Sequence, residues 1–152
     1  MPPHVTWGQT KPPPPPCPIG AWLMIAGGVV MGIGCFLPWL TIEGDSFNGF
    51  TDGGGDEASD GWLFITLGVI LLGFGIATLA AKRLLPIAIL AVVFAALGVL
   101  GALADLGDAN DIIDIAGAFD SDASIGAGLP IVLVGSLVGL AGGIVALATR
   151  RR

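Results

Sequence analysis

Apolar and polar positions along this chain fall into long blocks. Four stretches contain no ionisable residue: Ile19 to Leu40, Trp62 to Ala81, Pro86 to Ala104 and Leu129 to Thr149. Each is near the length of about 20 residues that crosses a hydrocarbon core about 30 Å thick at a rise of about 1.5 Å per residue. Lipid cannot hydrogen-bond a bare backbone, so each stretch predicts an α-helix, and none shows the period-two alternation of a barrel strand. The expected fold is an all-α integral membrane protein, a four-transmembrane-helix bundle at 18–149. A proline-rich tail at 1–17 precedes it and a basic end at 150–152 follows.

The segments between the blocks read differently from one another. Thr41 to Gly61 holds Asn48-Gly49 and the run Asp52-Gly53-Gly54-Gly55-Asp56-Glu57, with no apolar pattern to bury, and predicts a mobile, turn-rich loop. In Asn110 to Phe119, Ile112, Ile115, Ala116 and Phe119 recur at helical spacing, which predicts a separate short amphipathic helix lying on the surface. Pro18, Pro86 and Pro130 open helices, where a missing N–H costs nothing, and Pro38 is expected to end or bend the first span. Pro12 to Pro16 predicts a stiff polyproline II spacer.

Composition agrees with a membrane chain: 54% of the residues are apolar, 6 are basic and 12 acidic. Mean hydropathy is +0.88. Soluble proteins carry roughly 25% charged residues, about twice the share found here. The charges are also sorted by sign. Lys11, Lys82, Arg83 and Arg150 to Arg152 occupy the N-terminal tail, the second loop and the C-terminus, whereas every acid lies in the first or third loop. By the positive-inside rule both termini are expected in the cytoplasm of a cell-membrane protein, with the acids outside. The formal net charge of −6 sums two opposite faces and points to no nucleic-acid partner.

Trp39 and Trp62 at the outer boundary and Trp22 near the inner one are expected as interface anchors. The first span is too long for a signal-peptide core and lacks a small-residue cleavage site, so it is expected to remain in place. Cys17 and Cys35 stand about 27 Å apart by helical rise and cannot form a disulfide. At a common offset Pro18-Ile19 meets Pro86-Ile87, Lys82-Arg83 meets Arg150-Arg151, and Gly75-Ile76 meets Gly143-Ile144. That fits two parallel helical hairpins of one design, although the abundance of alanine, glycine and leucine produces some of the match by itself.

Between lipid-exposed helices, small residues allow close backbone approach and so favour association. Four-residue spacing marks such faces at Gly28 and Gly32, at Gly73, Ala77 and Ala81, at Ala91 and Ala95, and at Gly135, Gly139 and Gly143. Most are expected to pack within the bundle, and the fourth span has the cleanest row to leave for a partner.

Chemistry is scarce. His4 is the sole histidine, there is no tyrosine, and neither a nucleophile elbow nor a phosphate-binding loop is present. No carboxylate lies inside a span, so no proton relay or ion path is marked. Asp120, Asp122 and Ser124 imitate the start of a calcium loop, but Ile125 and Ile131 replace its glycine and glutamate. No catalytic residue, metal site or cofactor is expected, and the acids read as a solvated face. A lipid-modifying activity through the outer carboxylates is the third alternative, and Asp105, at the membrane edge, is the acid whose substitution tests it.

The proline-rich tail, Leu37-Pro38-Trp39, Asp60-Gly61-Trp62 and the terminal arginines together resemble uncharacterised small four-span membrane proteins of high-GC actinobacteria and their phages. The resemblance implies a cell-membrane location and supplies no activity or site. The expected function is a non-enzymatic accessory or scaffold protein acting through helix–helix association, as a homo-oligomer or within a larger membrane-protein complex. The alternative is a small oligomeric pore or transporter, or a phage-type permeabilising or exclusion protein.

Overall fold

The computed structural model describes residues 18–51, 60–80 and 85–149. The proline-rich tail with Cys17, the glycine-rich acidic run at 52–59, Ala81 with Lys82-Arg83, and the C-terminal arginines lie outside the described residues. Among the described residues four helices are long and apolar enough to cross a membrane: α1 (Ile19–Phe36), α2 (Gly61–Ala80), α3 (Leu85–Ala118) and α4 (Gly128–Ala148). Three short strands accompany them: β1 (Pro38–Ile42), β2 (Asp45–Asn48) and β3 (Ala123–Ile125).

The strands correct two sequence expectations. The first span does not stay helical to Leu40: it stops at Phe36, just before the proline expected to end or bend it, and Pro38 to Ile42 is extended. Pro38 has no N–H to donate and restricts the residue before it to extended backbone, so Leu37 takes ψ 157°. The following loop is also partly ordered. β1 pairs antiparallel with β2 across Glu43-Gly44, both at positive φ (51° and 91°), the mirror-image turn whose twist suits a two-residue hairpin. The other edge of β1 pairs antiparallel with β3, giving the order β2-β1-β3. Asn48-Gly49, the stronger turn signal in the sequence, instead ends β2. Asn48 Oδ1 accepts bonds there from the Phe50 N–H and the Thr51 hydroxyl, both at 3.0 Å.

A third correction concerns the second acidic segment. No separate surface helix forms at Asn110 to Phe119, because α3 continues for 34 residues without a break. Nothing there forbids continuation: no proline intervenes, and aspartates on exposed helix positions cost only tenths of a kcal/mol each. The helix closes after Ala118 with Asp120 at φ 55°, the Ser121 N–H reaching the Ala116 carbonyl at 3.0 Å and the Asp120 N–H the Gly117 carbonyl at 3.3 Å. This is a six-to-one cap with aspartate in the left-handed position.

On α3 side-chain size is sorted, with small residues facing inward. Ala88, Ala91, Ala95 and Ala102 are buried on α3, while Val93, Leu97 and Leu100 are exposed. The α1–α4 seam is the most extensive, α1–α2 and α3–α4 follow, and α2–α3 is the thinnest of the four. Along the first seam Gly20, Gly27 and Gly34 of α1 meet α4 in reverse order, near Gly142, Gly135 and Gly128. A Cβ on Gly27 would stand 2.5 Å from the Gly139 nitrogen and 2.7 Å from the Gly135 oxygen, so the two backbones touch. These rows repeat every seven residues, the period that keeps one seam facing its partner in left-handed helix packing. On the α1–α2 seam Gly28 faces the Gly68 carbonyl and Leu72, while Gly75 faces Ala21 and Ile25.

Candidate functional site

The sheet joins the two acidic loops over one end of the helices. β1 lies in the middle, paired with β2 and with β3, and its pairing with β2 shifts register between Pro38 and Leu40, a bulge at Trp39. A bulge bends a strand and re-aims its side chain. Trp39 is 9% exposed, its Nε1–H donates to the Gly34 carbonyl at 3.0 Å, and its ring meets Phe64 edge-on at 5.7 Å between centroids. Glycines make room for the indole: side chains on Gly49 or Gly128 would collide with it. Trp39 is therefore a core residue of the cap. Trp22 and Trp62, expected as anchors with it, are 60% and 66% exposed.

Beside Trp39 the sheet, α3, Leu129 of α4 and Asp60 just before α2 line an open pocket of about 180 Å³. Its apolar walls are Trp39, Leu40, Phe47, Ala109, Ile112 and Leu129; its polar groups are Asn48, Asp60, Asp105 and Asp108. Three carboxylates thus line it, two from α3 and Asp60 from the turn before α2. Asp105 follows directly on the apolar Leu85-to-Ala104 part of α3, and its Oδ2 is buried without a hydrogen-bond partner. Burial and the neighbouring charges of Asp60 and Asp108 all act against a charge on Asp105. Elsewhere the loops are joined by side chains, the Ser121 hydroxyl donating to Glu43 Oε1 at 3.0 Å. Among the described residues no group of three or more histidines, cysteines or acids is placed to hold a metal ion.

The small residues picked out by four-residue spacing are distributed unevenly. Gly28 lies against α2, Gly135 against Met31 and Gly27, Gly139 against the Leu71 side chain, and Gly143 against Val92. Ala91 and Ala95 are buried on α3. Gly32 and Gly73 have nothing within 4 Å of a Cβ position, and Gly73 is exposed with Ala77 half-buried one turn on. The open small-residue positions therefore lie on α1 and α2, while the α4 row is occupied inside the molecule. Gly20, Gly27, Gly34, Gly128 and Gly142, the residues of the tightest seam, are marked in the sequence only by seven-residue spacing. Asp60 and Asp108 join Asp105 only through the fold.

Two span hydroxyls bond back to their own helices. Ser136 donates to the Val132 carbonyl at 2.9 Å and Thr66 to the Trp62 carbonyl at 2.7 Å, while Thr78 Oγ1 is buried without a partner. Cys35 is buried, its thiol directed to the Met31 carbonyl at 3.2 Å. No protein-family model matches the chain, and neither a curated protein nor a solved structure matches it.

Proposed function

We propose that this chain is a multi-pass cell-membrane protein of accessory or scaffold type, with both termini cytoplasmic and the sheet-bearing end outside. It has no catalytic chemistry of its own and acts through helix–helix association with a second copy or a larger membrane complex. The observation that supports association is the contrast among its glycines: the rows on α4 and the inward sides of α1 and α2 are filled, whereas Gly73 on α2 is open. Small residues let a neighbouring backbone come close, the main source of helix affinity in lipid. Orientation follows from the basic residues flanking one set of helix ends and the acids at the other. The pairing of Thr66 and Ser136 with their own helices favours this reading over a hydroxyl-lined oligomeric pore.

The test is extraction in native-lipid nanodiscs and mass measurement of the intact particle. The expected result is an assembly larger than one chain, reduced to one chain by Gly73→Leu with helix content unchanged. A wild-type particle of one chain with nothing bound overturns the proposal.

A further inference from the structure

The geometry points to the groove at the sheet end as a docking site for a cationic amphipathic peptide segment of a partner protein. One basic side chain enters between Asp60, Asp105 and Asp108, and the apolar side of the segment lies along α3. At about 180 Å³ the pocket is below the roughly 300–1,000 Å³ typical of small-molecule sites, a size suited to a single long side chain.

The groove continues past the pocket. Asp105, Asp108, Ile112, Ile115 and Phe119 follow one another at three- and four-residue steps and so share one face of α3 and its closing turn. Ile112 is 43%, Ile115 61% and Phe119 80% exposed on a helix that runs about 20 Å beyond its apolar part. Isolated exposed apolar residues need no explanation, but a line of them leading from an acidic pocket forms an amphipathic surface.

Charge selects the occupant. Every acid or base described at this end is acidic, including Glu43, Asp45, Asp111 and Asp114, and in the sequence Lys82-Arg83 and Arg150 to Arg152 come after the other ends of α2 and α4. A second copy would bring the same acids to the contact, and an anionic lipid would be repelled in the same way. An uncharged apolar partner would cover the carboxylates of Asp60, Asp105 and Asp108 without supplying a donor to any of them. A lysine or arginine supplies the missing donors, with its aliphatic stem against Trp39 and Leu129.

The experiment uses the full chain in phosphatidylcholine nanodiscs and a short fluorescein-labelled peptide with arginine on one helical face and leucine on the other. Anisotropy is measured against empty discs. Controls are the peptide with glutamate for arginine, the peptide with serine for leucine, and arginine amide as competitor. The expected result is binding above empty discs, weakened at least about tenfold in either altered peptide and by combined Asp60→Asn, Asp105→Asn and Asp108→Asn. Asp108→Asn alone, at an exposed position, weakens binding by a smaller factor without touching the core. Binding equal to empty discs, equal binding by the triple variant at wild-type helix content, or arginine amide competing as well as the whole peptide each overturns the proposal.

Discussion

The α1–α4 and α2–α3 seams are built from helices of similar hydropathy, yet one is the most extensive contact in the molecule and the other the thinnest of the four. The first has glycine opposite glycine at Gly20, Gly27 and Gly34, so backbone meets backbone. The second has Phe74 against Phe94, ring centroids 5.9 Å apart, which keeps the helix axes separated. Hydrophobicity does not decide between them, since lipid is as apolar as either surface. The fit of small residues does.

Substitutions can break this contrast or make it finer. The largest expected effect is Gly27→Leu, which forces side-chain atoms into backbone on α4. A loss of about 3 kcal/mol or more is expected by reversible unfolding in mixed micelles. Gly139→Leu follows, because the added group meets the movable end of Leu71, and about 2 kcal/mol should be lost in the same assay. Phe74→Ala should cost only about 1 kcal/mol, well under the 3–5 of a fully buried phenylalanine, because the position is half-buried and lipid can refill it. A value at the high end would mean that the α2–α3 seam is as tight as its counterpart. The smallest change belongs to Gly73→Leu, within about 0.5 kcal/mol for the single chain and tending to stabilise through helix propensity. A large destabilisation without change in particle mass would show that Gly73 is packed after all.

The four helices were legible from sequence because long runs without charge have few other uses. Their termini were less so: a short apolar stretch such as Pro38 to Ile42 has the same hydropathy in a strand as in a helix. The sheet was hidden because its turn is Glu43-Gly44 and its third strand is three residues long. Among the small residues, four-residue spacing found individual contacts but missed the seven-residue rows, since a chain with 25 glycines satisfies both patterns. Of the pocket acids Asp105 stood out by its position at the end of an apolar run. Asp60 and Asp108 acquire meaning only when the start of α2 is brought beside α3.

The strand pairing of β1 with β3 also selects the vertical registration of α1 on α4. Rows of glycine repeating every seven residues present a nearly smooth track, and a slide of one repeat, about 10 Å, would again set small residues opposite one another. On the edge toward β3, Leu40, Thr41 and Ile42 pair with Ile125, Ser124 and Ala123, and the Trp39 indole sits where Gly34 and Gly128 meet. The small sheet therefore works as a latch, holding at one notch two helices whose own surfaces would tolerate several.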